Sequence, residues 1–150
     1  MQGIDGVAVR KLIRHVDARG SLTELLRSDW PEFTRFGQAI VTVNLPGVIR
    51  GWHWHDRQTD VIVVISGRAN VPLYDGRAGS KTFETVEAHV CGDGDLKAIF
   101  VPPGVWHGYK TIGPEPAIIV NFPDQVYDAA HPDEHRAPYD TPAVPYDWNA

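Results

Sequence analysis

Three histidines and one aspartate of this chain have a spacing that suits a metal-binding or catalytic pocket. His53 and His55 are two positions apart, so on a β-strand both side chains point to the same face. Asp60 follows a short turn and can return to that face, and His107 begins another segment after a Pro-Pro-Gly turn. Two or three histidines with one carboxylate are a common donor set for Fe, Mn, Ni, Zn or Co. The pattern predicts a pocket around these four residues, with one such divalent ion as a candidate ligand and no organic cofactor.

Strands must position these side chains, because the chain is rich in short β-forming runs and lacks long helical periodicity. Val61–Ile65 is five consecutive β-branched residues, which indicates a strand buried on both faces. Asp29–Phe33 is the one candidate helical turn. Turn signals recur roughly every 8–12 residues, which is typical of an all-β sandwich or jelly roll. The other expected strand regions are Val7–Val16, Ser21–Leu26, Gln38–Asn44, Ala69–Tyr74, Ala98–Val101 and Ala117–Phe122.

The histidine spacing resembles the two motifs of the cupin family, G-x5-H-x-H-x3,4-E-x6-G and G-x5-P-x-G-x2-H-x3-N. The first motif matches from Gly47 to Gly67, with Asp60 at the position of the usual glutamate. The second matches at Pro102–His107, with Thr111 at the position of the final asparagine. This resemblance implies a cupin-type double-stranded β-helix, that is, a jelly roll.

Composition restricts the class of protein. The 150 residues suit one domain, residues 1–150, with an extended tail over about 123–150 that Tyr146 and Trp148 would anchor. A net charge of −5 without a basic run argues against nucleic-acid binding. No apolar run approaches the roughly 20 residues of a membrane span, and the N-terminus lacks a signal-peptide pattern. Cys91 is the single cysteine, which suits a reducing cytoplasm.

A second resemblance is collinear over most of the chain. The segments that carry it are Asp17–Glu24, Val41–Asn44, Gly47–Trp54, Tyr74–Phe83 and Val101–Gly108. With these segments the chain is similar to the dTDP-4-dehydrorhamnose 3,5-epimerase family, the RmlC-like cupins, of which it looks like a divergent short branch. This resemblance implies a nucleotide-linked 4-keto sugar as substrate and a homodimer in which N-terminal residues reach the neighbouring subunit.

The resemblance implies a role for each matched residue. His53 corresponds to the family's base, and His107 to its second pocket histidine. Arg50 corresponds to the arginine that contacts the diphosphate, which suits its planar fork of donors. Arg19 and Glu24 correspond to residues that contribute to nucleotide binding.

Five further residues lie near these matched positions in the sequence and are candidates for substrate binding or for packing. Asn44 and Lys110 are additional candidates for substrate binding, the lysine because a cation near the pocket could meet phosphate. Trp52, Trp54 and Trp106 alternate with the pocket histidines, so we expect them on the opposite face of the sheet as core or dimer contacts.

Three family features are altered in this sequence. Asp60 stands where the family has a lysine near the enolate oxygen, and the position of the catalytic tyrosine falls near Val120 or Asn121. The aspartate that orients the base would lie in a C-terminal region that we expect this shorter chain to lack. One change could explain the gain of His55 and Asp60, namely a metal that replaces the lysine and polarises the carbonyl. His53 is then a candidate both for base and for ligand, and His107 and Asp60 for catalytic roles.

These observations predict an isomerase or epimerase acting on a nucleotide-linked 4-keto sugar, with a metal ion as a candidate assistant. Two alternatives come from other classes. One is a metal-dependent cupin enzyme, either a dioxygenase or an isomerase of small acids. The other is a sugar-binding cupin without catalysis.

Overall fold

A computed structural model describes residues 3–149, and the elements within them are strands joined by turns. No helix occurs in this described part, which confirms the all-β prediction. The strands are β1 (Ala8–Lys11), β2 (Arg14–Asp17), β3 (Gly20–Thr23), β4 (Ile40–Asn44), β5 (Ile49–Trp54), β6 (Asp60–Ser66), β7 (Arg68–Asp75), β8 (Val86–Gly92), β9 (Lys97–Val101), β10 (Val105–Ile112), β11 (Ala117–Asn121) and β12 (His135–Arg136).

Ten of these strands form two antiparallel sheets that face each other. The first sheet has the order β1-β9-β6-β11-β4, and the second has the order β12-β5-β10-β7-β8. The remaining pair, β2 and β3, forms a separate hairpin. Strands that follow each other in sequence often lie in opposite sheets, as β4, β5 and β6 do. This is the cupin-type jelly roll that the motifs predicted.

The main core lies between the two sheets, and each sheet also has a covered outer face. In β6, Ile62 and Val64 point into the core between the sheets, while Val61 and Val63 pack under the segment that holds Leu25 and Trp30. The prediction of a strand buried on both faces is therefore confirmed for Val61–Val64. Ile65 is an exception, because it is exposed at the end of the strand.

Two local predictions were wrong in detail. The run Val7–Val16 is divided into β1, on the edge of the first sheet, and β2, in the hairpin. Asp29–Phe33 forms turns and no helix. Pro31 disfavours helical backbone at the residue before it, which explains why a helix does not propagate there.

The C-terminal tail packs along the outer face of the second sheet. Trp52 is fully buried there, with its ring centroid 6.0 Å from that of Tyr146 and 5.0 Å from that of Trp148. Trp54 and Trp106 stack on the same outer face with centroids 3.9 Å apart. The predicted tail anchors and the outward direction of the three tryptophans are confirmed. Among the described residues, no helix is long and apolar enough to cross a membrane.

Candidate active site

A cavity of about 720 Å³ opens between the two sheets at one end of the jelly roll. Strands β4, β5, β6, β10 and β11 form its walls, and the tail segment after residue 123 passes over its mouth. Its lining includes imidazoles, carboxylates, an amide and arginines. Among these side chains are His53, His55, His107, Asp60, Asp133, Glu134, Gln58, Arg50 and Arg136.

Strand register brings the histidines together. In the β5–β10 pair, His53 lies directly opposite His107, and the ring centroids are 6.4 Å apart. The two backbones approach so closely here that a Cβ on Gly108 would lie 2.6 Å from the carbonyl oxygen of Arg50. Glycine at this position therefore allows β10 to hold His107 against β5.

His55, Asp60 and His107 form a compact buried group, the HDH cluster. Oδ2 of Asp60 lies 3.1 Å from Nε2 of His55 and 2.8 Å from Nε2 of His107. Gln58 donates from Nε2 to the other carboxylate oxygen at 2.7 Å. The Asp60 side chain is 1% exposed, so these neighbours replace water as its partners. The three residues meet the distance condition for holding a metal ion together, and His53 is outside that set.

The hydrogen-bond directions in the HDH cluster are unusual. Nδ1 of His55 lies 2.6 Å from the carbonyl oxygen of Asp133, and Nδ1 of His107 lies 3.1 Å from that of Val105. Carbonyl and ionised carboxylate oxygens only accept, so all four ring nitrogens face acceptors. A neutral imidazole carries one N–H, so positive charge has to be supplied at the centre of the cluster. Either extra protons or a cation bound by the Nε2 atoms and Asp60 can supply it.

The directions of the pKa shifts of His55 and Asp60 agree with this need for positive charge. Burial opposes protonation of His55, but the hydrogen bond and charge of Asp60 outweigh it and raise the pKa of His55 to about 8. Burial would raise the pKa of Asp60, but its bonds to His107 and His55 hold that pKa below its usual range. Asp60 is therefore an anion in the interior that requires compensation.

His53 has a different environment from the HDH cluster. Together with Glu134 it forms the second half of the site. Its side chain is 28% exposed, and Nδ1 lies 3.3 Å from Oε1 of Glu134. That contact is close enough for an ion pair but does not meet hydrogen-bond geometry, and the buried Nδ1 has no hydrogen-bond partner among residues 3–149. Burial and the nearby charge of His107 lower the pKa of His53, which favours the neutral form that can accept a proton.

Glu134 is a carboxylate that the sequence analysis did not identify. The family's orienting aspartate was expected to be missing, and Glu134 lies beside the ring of His53. The tail reaches this position because β12 pairs with β5, with Arg136 opposite His53. No sequence pattern connects residues so far apart, which is why Glu134 and Asp133 were not predicted as site residues. Gln58 was also missed, although it lies only two positions before Asp60.

Arg50 lines the cavity, and the buried side-chain amide of Asn44 orients its guanidinium. Its Nε donates to Oδ1 of Asn44 at 2.9 Å, and Nδ2 of Asn44 donates to Val48 O and to Oγ1 of Thr111, both at 2.8 Å. Asn44 is fully buried and does not line the cavity. Asn44, predicted to bind substrate, therefore contacts Arg50 and not the cavity, and Thr111 binds Asn44 from the position where the cupin motif has asparagine.

Besides Asn44, three predicted substrate-binding residues lie outside the cavity of the single chain. Lys110 alternates with the cavity-lining Tyr109 on β10, so it points to the outer face, where Nζ donates to the carbonyl oxygen of Trp148 at 3.1 Å. Arg19 is on the β2–β3 hairpin with its ion pair to Asp17, and Glu24 follows that hairpin and pairs with Arg27. Their distance from the cavity follows from the hairpin standing apart from both sheets.

Asn121, near the position of the family's tyrosine, lines the cavity, as do Tyr109 and Tyr127. Burial raises the pKa of the Tyr109 phenol, which keeps it protonated. Two tyrosines therefore line the cavity, although neither is at the predicted position.

Known proteins with similar sequences are carbohydrate enzymes. A family model described as the polysaccharide biosynthesis C-terminal domain matches residues 15–135. The probable low-salt glycan biosynthesis epimerase Agl13 of Haloferax volcanii is 41% identical over 152 residues, which cover 100% of this chain and 97% of that protein. The spore coat polysaccharide biosynthesis protein SpsL of Bacillus subtilis is 39% identical over 146 residues, with 97% of each chain covered.

Solved structures agree with the sequence comparison. A crystal structure of a dTDP sugar isomerase from Desulfovibrio desulfuricans G20 has a TM-score of 0.91 with this chain and is 29% identical to it. The match covers 97% of this chain and 92% of that one.

Proposed function

Because the chain belongs to the RmlC-like family of sugar epimerases, we propose that it is an epimerase or isomerase of a nucleotide-linked 4-keto sugar. The observation that carries this proposal is His53, a half-buried imidazole with Glu134 at Nδ1, in a cavity that also contains Arg50. An imidazole that can act as a base and a guanidinium that can bind phosphate thereby line the same cavity.

The chemistry requires removal of a proton from a carbon next to the ketone. The resulting anion is an enolate, so a base, a returning acid and a positive group at the enolate oxygen are needed. We propose that His53 takes the proton on its ring nitrogen and that Glu134 stabilises the imidazolium that forms. The phenol hydroxyls in the cavity wall, those of Tyr109 and Tyr127, are available to return a proton.

For the substrate's diphosphate we propose Arg50, whose guanidinium Asn44 holds in one orientation. Arg19 and Glu24 would complete nucleotide binding from a second copy of the chain, in a homodimer. Large apolar side chains exposed on and beside the hairpin support this interface, since Ile13, Val16 and Leu22 are 63–69% exposed. We also propose the cytoplasm as the compartment, which suits the buried free thiol of Cys91.

For the positive group we propose one divalent metal ion, of Fe, Mn, Ni, Zn or Co, held by His55, Asp60 and His107. The donor set fits, because each imidazole turns Nδ1 to a backbone carbonyl and leaves Nε2 for an ion, as in most protein metal sites. Such an ion supplies Lewis-acid polarisation of a carbonyl oxygen. His53 then remains free to act as the base.

Solvent deuterium exchange tests the enzymatic proposal. The protein is incubated in D₂O with a dTDP-linked 4-keto-6-deoxy sugar, and deuterium next to the ketone is followed by NMR. We expect enzyme-dependent exchange at one or both carbons. Absence of exchange with dTDP-, UDP- and GDP-linked 4-keto sugars would contradict the proposal.

Metal analysis tests the ion separately. Protein purified without chelator should contain about one ion per chain by mass spectrometry. His55→Ala and His107→Ala should lose it, while His53→Asn should keep it. The metal proposal fails if wild-type protein prepared with each of the five metals retains none of them.

A further inference from the structure

We propose that Asp133 is a positioning residue that sets the geometry of both halves of the active site, an inference that rests on the proposed function. Asp133 begins the short segment Asp133–Ala137, here called the strap, which crosses the cavity mouth beside β5. Its carboxylate and its own carbonyl oxygen bind two different parts of the site.

The carboxylate binds the turn that connects His55 to Asp60. Oδ1 accepts from the backbone N–H of Asp56 at 2.8 Å, and Oδ2 accepts from those of Arg57 and Gln58 at 3.0 and 3.1 Å. Burial opposes ionisation of this side chain, but the three N–H groups outweigh it and keep the pKa of Asp133 below its usual value. Arg57 is 4.0 Å away and mostly exposed, so the backbone donors dominate.

This turn contains Gln58, which hydrogen-bonds to Asp60 of the HDH cluster. Gln58 donates to Oδ1 of Asp60, and its N–H is one of the three that Asp133 holds. A turn without the Asp133 carboxylate would have three N–H groups without a protein partner, open to water, and no fixed direction for the Gln58 amide. Asp133 therefore controls the orientation of the Asp60 carboxylate through Gln58.

The carbonyl oxygen of Asp133 sets the tautomer of His55. It lies 2.6 Å from Nδ1, and because a carbonyl only accepts, the proton of the neutral ring must be on Nδ1. Nε2 is then the nitrogen that binds at the centre of the cluster: in the neutral ring its lone pair requires a cation between it and Asp60, and in the protonated ring Nε2–H donates to Asp60. One residue thus fixes both the ring and the carboxylate that share this centre.

The same residue also anchors the strap next to the base. Beyond Asp133, Glu134 contacts His53, and Ala137 exchanges two backbone hydrogen bonds with Trp52 at 2.9 and 3.1 Å. Glu134 is thus held on one side by Asp133 and on the other by the pairing with β5. Release of the Asp133 end would free Glu134 to leave Nδ1 of His53.

The test compares Asp133→Ala and Asp133→Asn with Asp140→Ala, which changes an exposed aspartate of the same tail. Hydrogen exchange of the Asp56–Gln58 amides reports the turn, and ¹⁵N-histidine NMR, with the His55 signal assigned by its loss in His55→Gln, reports the tautomer. Deuterium exchange into substrate gives kcat and KM. The first two measurements need no substrate, so they decide this inference even if the enzymatic proposal fails.

For Asp133→Ala we expect at least 10-fold faster exchange of the turn amides and loss of the single His55 tautomer. We also expect kcat about 30-fold lower, with KM within 3-fold because Arg50 is untouched. Asp133→Asn should show the same changes to a smaller degree and serves as the test if the alanine variant does not fold. Asp140→Ala should match wild type. Unchanged His55 tautomer and turn protection in a folded Asp133 variant would overturn the inference, as would a fall in thermal stability without those changes.

Discussion

The two halves of the active site differ in how completely their polar atoms are paired. In the HDH cluster, every ring nitrogen and carboxylate oxygen has a partner, and Asp60 is almost inaccessible to water. In the His53–Glu134 pair, both side chains are more than a quarter exposed and Nδ1 of His53 makes no hydrogen bond. A group whose polar atoms all have hydrogen-bond partners is suited to hold charge in a fixed place. A group with an unpaired nitrogen can gain or lose a proton, as a base must do.

Removal of the base should have the largest effect on turnover. We expect His53→Asn to lower the rate of deuterium exchange into substrate about 1,000-fold, since general-base catalysis contributes roughly 100- to 10,000-fold. Stability should remain within about 1 kcal/mol, because the side chain is partly exposed and lacks a hydrogen bond. His89→Asn, on β8 at the far edge of the second sheet, is the matched control and should keep full activity. Equal rates for the two variants would show that His53 is not the base.

Loss of the central carboxylate should instead affect stability. Asp60→Ala leaves two imidazoles facing an apolar gap, and breaking a buried charge pair costs about 3 kcal/mol or more. Urea unfolding with chelator present measures this cost without a contribution from metal. Asp56→Ala removes an exposed carboxylate paired with His135 and should cost less than about 1 kcal/mol. Similar costs for both variants would mean that the HDH cluster is not a stabilising unit.

Neutralising the partner of the base should have an intermediate effect. Glu134→Gln keeps the shape and removes the charge that stabilises an imidazolium on His53. We expect kcat about 30-fold lower and KM nearly unchanged, a smaller loss than for His53→Asn because the contact is 3.3 Å and imperfectly directed. Arg136 donates to the same Glu134 carboxylate. Arg136→Lys keeps a positive charge at that position and leaves Glu134 ionised, so it is the comparison variant. If Glu134→Gln raises KM and leaves kcat intact, Glu134 binds substrate and does not assist the base.

The smallest effect is expected outside the cavity. Lys110→Met removes an ammonium that donates to the tail carbonyl of Trp148 on the outer face. KM should change less than 2-fold, and thermal stability should fall only slightly. A 10-fold rise in KM would show that Lys110 reaches substrate in the assembled protein.

Much of the site could be predicted from local patterns. Alternation along β5 places His53 and His55 together and directs the tryptophans outward, and a tight turn leads into His107. These relationships depend on backbone periodicity, which a short stretch of residues contains. The direction of Lys110 follows from the same alternation, since its neighbour Tyr109 lines the cavity, yet proximity to the pocket strand suggested the opposite.

The partners from the tail could not be predicted in this way. Asp133 contacts His55 across 78 positions of sequence, and Glu134 reaches His53 only because β12 pairs with β5. Residues 123–149 contain a single two-residue strand and no periodic pattern that would state which face they cover. Their course is determined by the apolar anchors Tyr146 and Trp148 on Trp52, a contact between distant parts of the chain.

The sequence by itself thus determined the all-β character and the shared face of His53 and His55, because strand periodicity and turn residues act over a few positions. Its resemblance to the cupin motifs added the jelly roll and the meeting of these histidines with Asp60 and His107. Only the tertiary structure decided how these four residues divide. It separates His53, with Glu134, from the HDH cluster that Asp133 supports, and it leaves Arg19 and Glu24 outside the cavity. The reason is physical: burial and pairing of each polar atom depend on which distant segment packs over it.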